Sequence, residues 1–384
     1  MKRRAIALLA AAHLFDDINQ SVVPALLPFF IAERGFTMAA AGGLVLAASA
    51  SSSVLQPLFG QLADRRGLPW LVPAGLLTAG TGVALAGLAP SYGLVLCAVA
   101  ASGVGVAAFH PEAARQVHRL SGERRATAMS LFAVGGNLGF AVGPALATPL
   151  QLALGLRGTI LLVLPALGMA LVLILAGRRP APAGFLSTGP VPLPAQDRWA
   201  PFARLGVAVA SRAVVFSGLN VFVPLYWIRV FGLSKAAGGT ALTLMLSSGV
   251  AGTLAGGWLA DRFGRRVVVL GSMVALFPLL LALIAAPSAT QALALLVPIG
   301  FALSVPFSVM TVMGQEYLPG RVGTASGVTI GLAVTLGGLA APVLGRIADL
   351  HGVRAAVWTL VAVPLVGTLA TLSLPREALR GLRP

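Results

Sequence analysis

Charge is scarce in this chain of 384 residues: only 10% are Asp, Glu, Lys or Arg, against about 25% in a soluble domain. So few charges cannot cover a water-facing surface, which excludes a soluble enzyme. Cysteine is scarcer. The single Cys97 cannot close an internal disulfide and matches no metal spacing; inside an apolar run it reads as a small packing residue. Lysine occurs only at positions 2 and 235. The 46 glycines have no period of three, so a collagen-like fibre is excluded too. No phosphate loop or nucleophile elbow appears, and neither enzyme activity, cofactor nor metal is expected. What is abundant is apolar: 57% of the residues. A membrane-crossing helix needs about 20 of them, so twelve short-looped helices use up the chain.

The apolar runs predict twelve helices, near 5–32, 38–63, 69–89, 92–114, 126–150, 158–176, 204–228, 236–260, 267–286, 292–314, 322–346 and 354–374. The N-terminal Met1-Lys2-Arg3-Arg4 could open a signal peptide, but His13, Asp16 and Asp17 interrupt the run and no cleavage site follows; an uncleaved first span is expected. The long connection 177–203 is rich in proline and reads as a linker, giving an N-terminal half 1–176 and a C-terminal half 204–384. The formal net charge of +16 would suggest nucleic acid in a soluble protein. Here the basic residues sit between spans. With the N-terminus inside, 20 fall on the cytoplasmic side and 6 on the other, which predicts both termini in the cytoplasm and no nucleic-acid partner.

The halves repeat. Gly60-Gln-Leu-Ala-Asp64-Arg65-Arg66-Gly67 matches Gly257-Trp-Leu-Ala-Asp261-Arg262-Phe263-Gly264, Arg125–Ser130 matches Arg321–Ser326, and Pro24 pairs with Pro224, all at offsets of 196 to 200. The expected fold is therefore an all-α membrane protein of twelve transmembrane helices in two pseudo-symmetric six-helix halves, with a substrate site between the halves. A monomer is expected because one chain holds both.

Several motifs carry chemistry. Gly60, Asp64 and Arg65, repeated as Gly257, Asp261 and Arg262, suit a gate: glycine lets helices approach, while carboxylate and guanidinium cap helix ends and pair across the halves. Gly135, Gly139 and Gly143 recur every four residues and form one stripe ahead of the helix-bending Pro144. In span 1, His13, Asp16, Asp17, Gln20 and Pro24 share one helix face. An ionised carboxylate at membrane depth costs about 2.5–3.5 kcal/mol, so two adjacent ones should not both stay charged, which is the chemistry of a proton site. The alternative is a water-filled vestibule. Span 4 ends in His110-Pro111-Glu112, with Arg115 one turn on; this reads either as a helix end reaching water or as a second titratable cluster facing span 1. Arg212 lies two turns inside span 7, above Ser217 and Asn220. It either meets an anionic substrate or the span 1 carboxylates, or snorkels to water.

The paired gate loops resemble those of the major facilitator superfamily, and Gly139-x-x-x-Gly143-Pro144 its proton-coupled antiporters. More specifically, His13-Leu-Phe-Asp16-Asp17-x-x-Gln20, Leu55-Gln56-Pro57, Phe109-His110-Pro111-Glu112, Gly135-Gly136-Asn137-Leu138-Gly139 and Gln315-Glu316-Tyr317-Leu318-Pro319-Gly320 resemble the fosmidomycin-resistance family of bacterial efflux transporters. That resemblance implies a bacterial inner-membrane exporter that exchanges a small molecule for protons; the namesake substrate is a small phosphonate antibiotic. One departure stands out. Many drug/proton antiporters of the superfamily carry an arginine in span 4 where this chain has Val99. Proton coupling is then expected from Asp16, Asp17, His13, His110 and Glu112, and substrate contact from Gln20, Arg115, Arg212 and Asn220. Symport of a metabolite into the cell, and a non-transporting binding role, share the same fold.

Overall fold

Lipid offers no partner for a backbone N–H or C=O, so a chain this apolar must satisfy its hydrogen bonds within helices. The computed structural model describes residues 3–66, 68–121, 125–177, 196–319, 325 and 327–375, and among them there is no strand. The first half comprises α1 (Arg3–Arg34), α2 (Met38–Arg66), α3 (Leu71–Leu88), α4 (Tyr92–Ser121), α5 (Arg125–Leu154), a 3-10 stretch (Gly155–Leu162) and α6 (Val163–Gly177). The second comprises α7 (Trp199–Arg229), α8 (Lys235–Phe263), α9 (Arg265–Ala285), α10 (Ala289–Ser304), α11 (Pro306–Tyr317), a π-helical stretch (Gly327–Leu332), α12 (Ala333–His351), α13 (Val353–Val361) and α14 (Val363–Leu372).

These elements make twelve membrane-crossing segments, six in each half. Nine stretches among the described residues are long and apolar enough to cross a membrane, and one of them, 128–176, holds both α5 and α6. Two segments fall outside the nine: α1, whose apolar run is broken by His13, Asp16 and Asp17, and the segment of the π-helical stretch and α12. The tenth segment breaks at Val305 into α10 and α11, and the twelfth at Ala362 into α13 and α14. Each break precedes a proline, Pro306 or Pro364, in the first turn of the new helix, where its missing N–H costs nothing. Arg115 and Arg346 lie inside α4 and α12 rather than in loops, because both helices run past their apolar cores. The expected linker falls mostly within 178–195, outside the described residues.

The α8–α9 joint shows why the repeated motif ends in glycine. Gly264 is the single residue between the two helices and has φ of +89°, a conformation that strains any residue with a Cβ. In the first half, α1 packs along α5 while α2 and α3 pack on α4; in the second, α12 packs on α7 and α10 on α8. The halves meet through α2 against α12 and α5 against α8. Close approaches cluster at the end of the bundle opposite the chain termini. There the Asp349 carboxylate of α12 accepts from the Met38 and Ala39 backbone N–H groups at the start of α2, at 2.8 and 2.9 Å. A Cβ on Gly42 would fall 2.5 Å from the Ala341 carbonyl oxygen, and Lys235 Nζ of α8 sits 4.5 Å from the centre of the Phe29 ring of α1.

Candidate functional site

The face of α1 expected from helical spacing is turned inward and buried: His13, Asp16, Asp17 and Asn19 all lie inside the first half. His110 reaches it from α4. His13 Nε2 lies 3.2 Å from Asp17 Oδ2, His110 Nε2 lies 3.3 Å from Asp17 Oδ1, and the two Nε2 atoms face each other at 3.0 Å. The other ring nitrogens are engaged by backbone. His13 Nδ1 is 2.8 Å from the Phe132 carbonyl oxygen of α5, and His110 Nδ1 is 3.0 Å from the Val106 carbonyl oxygen. A carbonyl can only accept, so both Nδ1 atoms carry hydrogen. With both rings neutral, two Nε2 lone pairs and a carboxylate would then converge with no hydrogen between them. One cation at that point relieves the conflict. His13 Nε2, His110 Nε2 and an Asp17 oxygen lie within 4.8 Å of one another, a donor set that suits a proton or a borderline metal ion.

The surroundings fix this triad. The Phe132 ring stacks on His13 with centroids 4.0 Å apart, Phe109 stacks on it at 6.0 Å, and the Gln20 amide donates to Asp17 Oδ1 at 2.5 Å. Both phenylalanines belong to an apolar cluster with Ile6, Leu9 and Met169, which keeps water from that side. Asp16 is fully buried and stands apart. Its Oδ2 is 3.5 Å from His110 Nδ1, and no hydrogen bond reaches either oxygen among the described residues. The α5 stripe forms one wall: Gly135, Gly139 and Gly143 lie so close to α1 that none has room for a Cβ.

His110 and Glu112, neighbours in sequence, go to different places. The fully buried Glu112 forms a bidentate fork with Arg115, from Nε to Oε2 at 2.7 Å and from Nη2 to Oε1 at 2.5 Å, and accepts from Gln116 at 3.0 Å. That pair closes within its own helix, leaves Arg115 Nη1 buried without a partner among the described residues, and does not join the triad. In the second half, Arg212 is buried at 7% exposure. It does not snorkel and does not reach the α1 carboxylates. Its Nη1 donates to the Leu303 carbonyl at 3.2 Å, and its guanidinium lies over the Phe307 and Phe216 rings at 5.0 and 5.8 Å. Phe216 faces Phe140 of the first half with centroids 6.4 Å apart, so Arg212 borders the interface. Asn220 donates to the Phe216 carbonyl at 3.2 Å, and its Oδ1 is buried without a partner among the described residues.

The residues expected to form a gate are placed unevenly. The side chains of Asp64 and Arg65 lie outside the described residues. Gly60 would bring a Cβ to 3.6 Å from Pro111, whereas Gly257 faces open space. Asp261 and Arg262 are exposed, and Arg262 lies over the Trp258 and Phe263 rings of its own helix. The ion pair at that end joins Arg265 of α9 to Glu316 of α11 within the second half. Sequence reading does not single out Phe132, whose carbonyl and ring hold His13, or Asp349; both act through contacts over 100 residues away in sequence.

Comparison with known proteins agrees with this fold. The chain is 34% identical over 373 residues to the fosmidomycin resistance protein of Escherichia coli (strain K12), covering 96% of this chain and 91% of that protein. It is 31% identical over 389 residues to YfnC, an uncharacterized MFS-type transporter of Bacillus subtilis (strain 168), covering 98% and 94%. Among solved structures, a bacterial homologue of the human lysosomal transporter Spinster, inward-facing and occupied, superposes with a TM-score of 0.80 over 96% of this chain and 95% of that one, at 16% identity. A mutant form of the nucleoside transporter NupG gives 0.78 over 97% and 100%, at 14% identity. The Major Facilitator Superfamily matches residues 9–342, and the chain belongs to that superfamily of membrane transporters, which are not enzymes.

Proposed function

We propose that this transporter is a proton-coupled antiporter that exports a small organic compound, with fosmidomycin as the first candidate because a relative bears that name. The observation that carries the reading is the Nε2–Nε2 contact of His13 and His110 against Asp17. Both Nδ1 hydrogens are spoken for by backbone carbonyls, so the triad has a place for one proton shared among three acceptors. A metal ion would occupy the same point, and the test below separates the two.

The division of labour follows from charge. Buried acidic groups concentrate in the first half, and the buried Arg212 stands in the second with no carboxylate in ion-pair range among the described residues. Arg212 and the unpartnered oxygen of Asn220 would receive the substrate, and an anionic group suits the guanidinium. The triad would receive the proton, with Gln20 orienting Asp17. The 20-to-6 distribution of basic residues supports both termini in the cytoplasm of a bacterial inner membrane. The contacts of Asp349 and Lys235 then close the periplasmic side, and substrate enters from the cytoplasm. Two rocking halves, 1–176 and 204–384, joined by 177–203, complete the cycle in a monomer.

The test is transport by proteoliposomes with an imposed pH gradient and a lumenal pH dye, using fosmidomycin and a panel of small organic anions, with and without EDTA. Antiport predicts proton movement opposite to substrate, unchanged by EDTA and absent in Asp17→Asn. Movement in the same direction would establish symport, and loss of activity in EDTA would assign the triad to a metal.

A further inference from the structure

The α5 stripe holds two kinds of glycine. A Cβ built on Gly135 or Gly139 meets backbone of α1 first, the Ala10 and Leu14 carbonyl oxygens. These glycines let two helices touch. Gly136 is different. The three atoms nearest its Cβ position are all functional: Asp17 Oδ2, then His13 Cε1 at 2.5 Å and His13 Nε2 at 2.6 Å. The His13 ring is pinned on the α5 side by the Phe132 carbonyl and by the Phe132 ring, so a methyl group at 136 has to push the ring or the carboxylate aside.

The other half supplies a natural comparison. Gly337 of α12 lies against α7, but its Cβ position meets backbone first, the Ala213 carbonyl oxygen at 2.8 Å, and then Ser217 Cβ at 3.0 Å. Ala213 and Ser217 stand 200 residues after His13 and Asp17, the offset that relates Pro24 to Pro224. Gly337 therefore serves helix contact opposite the counterparts of His13 and Asp17, whereas Gly136 faces the titratable side chains themselves. Those facing the pocket are His13, Asp16 and Asp17 of α1 and His110 of α4; α5 contributes none among the described residues.

We infer that Gly136 is a positioning residue of the triad: its missing side chain sets the separation of the His13 imidazole and the Asp17 carboxylate, and so the place where they hold a shared proton. This rests on the proton reading above. It extends that reading from the side chains that hold the proton to the backbone that spaces them.

The test needs no substrate. Thermal unfolding of the purified full-length protein in detergent is followed over about pH 5 to 9, because a group protonated differently in the folded and unfolded states makes stability depend on pH. Five proteins carry the comparison: wild type, Gly136→Ala, Gly337→Ala, His13→Ala and His13→Ala/Gly136→Ala. We expect Gly136→Ala to change the shape of the pH profile, and Gly337→Ala to lower the midpoint evenly at every pH. In the His13→Ala background two of the three nearest atoms are gone and the Asp17 carboxylate is released from His13, so Gly136→Ala should cost clearly less there than in wild type, the non-additivity of contacting residues. If Gly136→Ala alone fails to fold, recovery in the double variant supports the inference, and failure there overturns it. Equal effects of Gly136→Ala with and without His13, or parallel profiles for Gly136→Ala and Gly337→Ala, also overturn it. A flat wild-type profile would break the proton reading instead, and the His13 cycle would still decide the contact.

Discussion

The two halves share an architecture and differ in what they bury. At an offset of 200, His13, Asp16, Asp17, Gln20 and Pro24 of α1 correspond to Ala213, Phe216, Ser217, Asn220 and Pro224 of α7. The proline and the amide persist, while the ionisable residues give way to alanine, phenylalanine and serine. Conversely, Arg212 corresponds to Ala12. Repetition thus preserves the helix seams, whose glycines and prolines are dictated by backbone approach, and frees the facing side chains to diverge. One half becomes a home for acidic groups, the other for a single guanidinium. On the proposed function this asymmetry has a use: two ligands of opposite charge would bind on opposite sides of one interface, and each would bias the halves.

The largest expected effect tests that asymmetry directly. Asp17→Asn should reduce proton-linked exchange to the background of empty vesicles, whereas Ser217→Ala, its counterpart, should leave it near wild type. Equal loss in both would erase the difference between the halves. Next comes stability. Glu112 is fully buried and its partner Arg115 is 13% exposed; removing one partner of a buried pair costs about 3–5 kcal/mol, so Glu112→Gln should lower the unfolding midpoint strongly. Glu316, which pairs with Arg265 in the second half, is 51% exposed, and Glu316→Gln should change stability by at most about 1 kcal/mol. Arg212→Ala should weaken binding of an anionic substrate by roughly ten- to a hundredfold, the value of hydrogen bonds to a charged group, measured by calorimetry. It should leave the pH profile of unfolding in place. The smallest effect concerns the closed end. Asp349 caps the first turn of α2 across the interface, and a lost cap is worth about 1 kcal/mol, roughly fivefold in a two-state population. Asp349→Ala should raise labelling of a cysteine introduced at that end by about that factor.

Much of this was legible in the sequence because it depends on periodicity. Spacing of three and four puts His13, Asp17 and Gln20 on one face of α1, and a constant offset reveals the repeat. For His110, at the end of an apolar run, the sequence left two places open, a helix end in water or a cluster facing α1, and the structure sets it against Asp17. The rest depends on which helices become neighbours. Nothing in Phe132 announces that its carbonyl will hold His13, and Gly136 looks like its neighbours in a glycine-rich run until α1 is set against it. Glu112 shows the opposite limit: its i,i+3 partner Arg115 was visible, yet whether it joined the His110 cluster turned on side-chain direction. The breaks at Val305 and Ala362 were hidden inside continuous apolar runs, since hydropathy records composition and a proline at a first turn leaves it unchanged.

The most direct measurement is proton release on substrate binding, recorded with a pH indicator in weakly buffered detergent solution, for wild type, His110→Ala and Asp17→Asn. Wild type should release protons as substrate binds, and both variants should bind substrate with no release. Equal release from Asp17→Asn and wild type, or substrate binding by wild type with no release, would contradict the proton reading.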